Sequence, residues 1–172
     1  MKKFVLIALT GLLVSWSSPT PEVNLYSARK EALIKPLLDA FTKETGIKVN
    51  IISASADALL ERIKSEGINS PADVLLTTDA GRLHRAKQAS LFAPIDSEVL
   101  NNNIPANYRD GDNTWFGLSL RARPIMVTAK APDIALTTYE DLTKPELAGQ
   151  ICIRSSGNIY NQSLVASMLA HA

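Results

Sequence analysis

Apolar positions between residues 23 and 89 switch back and forth between two spacings. Residues 23–27 (Val-Asn-Leu-Tyr-Ser) read as a strand. Leu33, Ile34, Leu37, Leu38 and Phe41 then recur every three or four residues, which lays them along one face of a helix. Gly46 is a fitting stop for that helix, while Pro36 fits only in its first turn and otherwise kinks it. Residues 47–52 form the second apolar run. Ser55 is placed to cap a second helix that carries Leu59, Leu60 and Ile63 and stops at Gly67. Residues 72–77 read as a third strand, and Asp79 as the cap of a third helix that runs to about Ala89. Three strand–helix units in succession predict an α/β fold with a parallel sheet and right-handed crossovers.

Beyond the apolar run at residues 91–95 the texture changes. Residues 101–113 are polar and loop-like. Residues 115–127 return to strand character and carry Arg121 and Arg123, which strand alternation points to one face. Thr138 is placed to cap a short helix, with Asp141 three residues on. Residues 151–154 (Ile-Cys-Ile-Arg) read as a short buried strand, residues 155–158 as a tight loop and residues 159–172 as a helix. A strand, a Ser/Gly loop and a helix start make a ready anion site, because the first amides of a helix have no internal partner. Tyr160 lies in that first turn. The sequence reaches Ala172 inside the helix, with no cap and no strand to close the crossover. About half of a binding site is therefore expected within these residues.

The leading residues add a destination. Lys2 and Lys3 precede a thirteen-residue apolar run and a small-x-small cut at Ser15-Trp-Ser17, so residues 1–17 read as a cleavable signal peptide of an exported protein. The run is shorter than the roughly 20 residues a bilayer span needs. The whole chain has 18 Lys and Arg against 17 Asp and Glu; without Lys2 and Lys3 the balance is 16 against 17. That near-neutrality argues against nucleic acid or an acidic lipid surface as partner. The lone Cys152 has no disulfide partner and suits a buried apolar position. The pattern divides into a nearly complete first α/β lobe over residues 22–120 and the beginning of a second over residues 121–172.

In an open parallel sheet, ligands bind beyond the carboxyl ends of the strands. That singles out residues 27–31, 77–81 and 155–160. Arg121 and Arg123 sit among apolar residues and call for a carboxylate or a bound anion, with a structural ion pair or plain solvation equally open. Tyr160 is either a phenolate donor for a hard cation or an amphipathic tyrosine packed at a helix start. His84 and His171 lack metal-ligand spacing, and His84 lies on a charged helix face where it reads as solvated. There is no nucleophile elbow, Walker loop or CxxC. The chain is not expected to be an enzyme.

With those loops located, the chain resembles the periplasmic ferric-iron-binding proteins of ABC importers. The resemblance rests on an ordered set of segments: residues 25–31 (Leu-Tyr-Ser-Ala-Arg-Lys-Glu), 38–49, 71–79 (Pro-Ala-Asp-Val-Leu-Leu-Thr-Thr-Asp), 91–95, 115–123 (Trp-Phe-Gly-Leu-Ser-Leu-Arg-Ala-Arg) and 147–151. It implies a two-lobed, type II periplasmic solute-binding fold, with the first lobe nearly complete and the second truncated. It implies Fe(III) held by tyrosinates together with a synergistic anion, carbonate or phosphate. Tyr160 matches an iron-binding tyrosine. Arg121 matches the arginine that holds the anion, with Arg123 as its neighbour, and Ser156, Gly157 and Asn158 match the anion-binding loop. The histidine, or histidine–tyrosine pair, common after the first strand falls at Lys30 and Glu31, which makes Glu31 a weaker metal candidate. The family glutamate after the third strand falls at Thr78, beside Asp79. The family's adjacent tyrosine pair is not among these 172 residues, so they are expected to bind iron weakly or not at all on their own. The implied partners are an ABC permease in the inner membrane and ferric iron or a small anion, with the protein a monomer. Two other readings stay open: a receptor of the same fold for an anion or other small solute, and a non-binding remnant or interaction module that docks on a permease without ligand.

Overall fold

β1 (Glu22–Ser27) is the middle strand of the sheet, and the rest of the fold is laid against it. The computed structural model describes residues 20–130 and 133–171; the signal-peptide expectation falls outside them. β1 is followed by α1 (Glu31–Thr45), β2 (Lys48–Ser53), α2 (Ala56–Glu66), β3 (Val74–Leu76) and α3 (Ala80–Gln88). The strand order is β2-β1-β3, and both pairings are parallel, with Leu25 opposite Ile51 on one side and Val74 on the other. The predicted strand–helix alternation is thus borne out element by element. Gly46 ends α1 in the left-handed region at φ 73°, where a side chain is disfavoured, and its N–H reaches the Thr42 carbonyl at 2.9 Å. Ser55 Oγ accepts from the Ala58 amide at 3.3 Å, the cap that its position predicted. Pro36 lies beyond the first turn of α1, where a missing N–H leaves the Ala32 carbonyl without its helical donor; the helix nonetheless runs on to Thr45.

The core centres on the end of β1. Leu25, Leu59, Leu60 and Ala86 are buried, and Tyr26 is 0% exposed. A phenol taken fully out of water needs a partner. The Tyr26 hydroxyl donates to the Glu66 carboxylate, 2.9 Å from both oxygens. Arg62 Nε and Ser70 Oγ donate to the same carboxylate at 2.6 and 2.7 Å, and the Arg62 guanidinium stacks 5.1 Å from the Tyr26 ring centroid. These contacts fix the last turn of α2 to the sheet.

Five expectations are corrected after α3. The polar stretch expected as loop from residue 101 begins inside a helix, α4 (Glu98–Asn103), capped by Ser97 Oγ on the Leu100 amide at 3.4 Å. Residues 115–127 do not form a strand: one antiparallel bridge joins Arg109 and Phe116, and the segment then runs without a ladder. Residues 151–154 are likewise extended but unpaired. A strand exists only through its neighbour's amides and carbonyls, and no strand among the described residues lies alongside either segment. Their apolar side chains stay in water, Leu118 at 73% exposure and Ile153 at 58%. Cys152 is therefore exposed and not buried. Thr138 does not cap the short turn over Glu140–Thr143. Instead the Asp141 carboxylate accepts from the Thr137 and Thr138 amides at 2.7 and 3.0 Å. The remaining helix, α5 (Ile159–His171), forms as expected.

The turn after α4 is pinned to α3 by charge. Lys87 Nζ donates to Asp110 and Asp112 at 2.7 Å each. The other Asp110 oxygen accepts from the Thr114 hydroxyl at 2.7 Å. Lys87, then Thr114, holds the Asp110 carboxyl down at about 2. A carboxylate depressed in the folded state stabilises the fold above its unfolded pKa of about 3.9 and ceases to do so as pH falls through about 2. Asp110→Asn is expected to flatten the acid limb of a plot of urea midpoint against pH across that window. Tyr26→Phe is expected to cost about 1–2 kcal/mol in urea unfolding, the worth of one hydrogen bond to a charged acceptor that keeps its other donors.

Candidate anion and metal site at Tyr160

At the carboxyl end of β3 the chain turns through Thr77, Thr78 and Asp79 into α3. Asp79 has φ 76° and ψ 130°, outside the left-handed helical well that aspartate tolerates, so the turn is strained. Its carboxylate is 5% exposed. It accepts from the Gly81 amide at 3.0 Å, which caps α3 as predicted. It also accepts from Arg123 Nη2 at 2.7 Å and from the Ser163 hydroxyl at 2.5 Å. One side chain thus joins the start of α3, the extended segment at Arg123 and the second turn of α5. Gly81 makes the close approach possible: a Cβ there would lie 3.1 Å from Ile159 Cδ1 and 3.2 Å from Asp79 Oδ1.

Tyr160 precedes Ser163 by three residues and so shares its face of α5. Arg121 Nη1 donates to the phenol oxygen at 3.2 Å. The guanidinium carbons of Arg121, Arg123 and Arg154 lie 5.5, 5.6 and 5.9 Å from the ring centroid. Tyr160 ionises below the ordinary tyrosine range, chiefly through hydrogen bonding from the Thr78 side chain; burial opposes the shift, and the charges of Arg121 and Arg82 assist it. Arg121 and Arg123 therefore converge on one group even though their segment is not a strand. The Tyr139 hydroxyl donates to the Arg123 carbonyl and steadies that segment.

The loop before α5 is built around Asn158. Its side-chain oxygen accepts from the Tyr160 amide at 3.1 Å, and its carbonyl accepts from the Asn161 and Gln162 amides at 3.0 Å each. Asn158 thus caps the helix itself and occupies one of the amides expected to face an anion. Ser156 and Gly157 are exposed, and the Ser156 carbonyl accepts from Gln162 Nε2 at 2.9 Å. Glu31 is also exposed; it lines a groove with Lys35, Leu38, Asp39 and Val49, and no described hydrogen bond or ion pair links it to Tyr160. His84 and His171 are exposed. Among the described residues no three His, Cys, Asp or Glu side chains gather as a metal cluster.

Sequence reading did not single out Arg154, Ser163, Arg82 or Thr78 as donors at this site. Two of them left a signal: Arg154 directly precedes the anion loop, and Ser163 is one turn from Tyr160.

Alkaline absorbance titration is expected to show one phenol ionising early, and Tyr160→Phe should remove that component. Arg121→Gln should shift it to higher pH, since a donor and a positive charge are lost together. Tyr26, raised first by burial and then by Glu66, should ionise above the usual range.

Residues 26–147 match the bacterial extracellular solute-binding protein family. Iron uptake protein A1 of Synechocystis sp. is 54% identical over 149 residues, which cover 86% of this chain and 41% of that protein. The Fe(3+)-binding periplasmic protein of Serratia marcescens is 35% identical over 149 residues, covering 86% and 44%. Among solved structures, a Trichodesmium protein in complex with iron and citrate ligands superimposes with a TM-score of 0.81 at 55% identity, over 87% of this chain and 48% of that one. The Bordetella ferric binding protein gives 0.76 at 45% identity, over 87% and 47%. The chain spans under half the length of each of these relatives. The architecture is that of the type II periplasmic solute-binding fold, of which these residues supply the β2-β1-β3 sheet and the helices α1 to α5. The matched span runs from β1 through the turn over Glu140–Thr143, and the chain belongs to the bacterial extracellular solute-binding protein family.

Proposed function

We propose that this chain is part of a periplasmic receptor for ferric iron that delivers its cargo to an ABC permease in the inner membrane. The observation that carries the reading is the Tyr160 phenol, held below the usual tyrosine range among arginines. Ferric iron is a hard cation and takes anionic oxygen, so a phenol that parts with its proton easily is a fitting donor. The same arginines repel a bare cation. An anion that meets the guanidiniums on one side and the metal on the other resolves this conflict, which is a physical reason for a synergistic carbonate or phosphate. Arg121 is the arginine of that anion, Arg123 its ion-paired neighbour, and Ser156, Gly157 and Asn158 are the loop beneath it. Glu31, just beyond β1, is the second and weaker oxygen donor. Residues 22–120 act as the first lobe, and residues 121–172 as the hinge segment and the start of the second. The receptor works as a monomer. The relatives described above, whose names state iron uptake or ferric binding, support this reading.

With one matched phenolate, iron binding by these residues is expected to be weaker than micromolar. Titration with Fe(III) in carbonate or phosphate should give visible tyrosinate charge-transfer absorption, and Tyr160→Phe should abolish it. Equal absorption in that variant, or none in the parent chain, would overturn the assignment of Tyr160. A second reading, a small-anion receptor of the same fold, is favoured by the excess of guanidiniums over oxygen donors around the ring. Saturable phosphate, sulfate or carbonate binding with no iron-dependent absorption would select it.

A further inference from the structure

Four arginines approach Tyr160, but their charges are not equally free. Arg123 is ion-paired to the buried Asp79 at 2.7 Å. Arg82 faces Asp57 at 3.6 Å. Among the described residues, neither Arg121 nor Arg154 has a carboxylate at ion-pair distance. Both are exposed, and both lean on the Tyr160 ring, at 5.5 and 5.9 Å. Arg154 swings from a fixed root, because its carbonyl accepts from Asn161 Nδ2 at 2.9 Å and Asn161 adjoins Tyr160 on α5.

We propose that Arg154 and Arg121 together form the clamp that grips an oxyanion beside Tyr160, and that Asp79 keeps Arg123 out of it. This rests on the anion half of the proposed function and goes further by reassigning the second arginine. The forked donors of a guanidinium match the paired oxygens of phosphate or a carboxylate. Two uncompensated positive charges suit an anion with more than one negative charge. Asp79 is then a positioning residue: it balances Arg123 and ties it to Ser163, so the charge that an incoming anion meets comes from Arg121 and Arg154. The Arg123 side chain is partly exposed, but drawing it away toward a ligand would strand the buried Asp79 carboxylate, which is costly.

The test is calorimetric titration of the iron-free chain with inorganic phosphate, in the presence of a chelator. Omitting iron keeps this outcome separate from that of the metal reading. Arg154→Gln and Arg121→Gln are each expected to weaken phosphate binding about tenfold or more, the scale of a lost charge-assisted contact. Arg154→Lys, which keeps the charge but not the fork, should fall between the parent and Arg154→Gln. Arg123→Gln should cost less than Arg154→Gln. Asp79→Asn is the sharpest case, because asparagine still caps α3 but leaves Arg123 uncompensated. Phosphate binding should then tighten, whereas a purely structural role for Asp79 predicts weakening. No phosphate binding by the parent chain, a larger loss in Arg123→Gln than in Arg154→Gln, or weakened binding in Asp79→Asn would each overturn the proposal.

Discussion

A carboxylate that is almost wholly removed from water has to be met by donors, and Asp79 collects its donors from three parts of the chain. The Gly81 amide comes from its own helix, Arg123 from a segment 44 residues away and Ser163 from a helix 84 residues away. Without that convergence, the residues after 117 would have little to hold them near the sheet, since they form no ladder. Tyr160 owes its place to the same carboxylate, because it shares a helix face with Ser163. The positive-φ backbone at Asp79 and the missing side chain at Gly81 are the local conditions that let α3 and α5 approach so closely.

Around Tyr160 the electrostatics pull in one direction. Guanidiniums and a hydroxyl favour the phenolate over the phenol, and burial only partly resists them. Under the proposed function, such a site offers a metal a readily ionised oxygen and offers an anion positive charge at once. Neither ligand alone satisfies both features: a cation is repelled by the arginines, while an anion gains nothing from a phenolate. Joint occupancy is the arrangement in which every charge has an opposite neighbour.

The first half of the fold was open to reading because its information is local. Leu33 to Phe41 announce a helix by spacing, and Ser55 and Asp79 announce starts by side-chain chemistry, with the bonds at Ala58 and Gly81 as the result. The segments at 115–127 and 151–154 were misread because strand character in a sequence describes what a neighbour would stabilise, and no neighbour lies beside them among the described residues. Tyr160 and Arg121 were legible through the Ser/Gly loop and the apolar setting of the arginines. The Asp79–Arg123 pair was not: a helix cap explains an aspartate fully, and nothing local hints that its second oxygen serves a distant arginine. Arg154 was hidden for the opposite reason, since a residue read as the end of a buried strand draws no attention to its side chain.

Extended backbone without a ladder also governs how such chains meet one another. Among the described residues β2 and β3 are both edge strands, and the runs around Leu118, Leu120, Ile151 and Ile153 present amides, carbonyls and apolar side chains to water. A similar run from another molecule can pair with these surfaces, and the extent of pairing rises with chain concentration. Such pairing between molecules follows protein concentration, whereas the β2-β1-β3 ladder within one molecule does not.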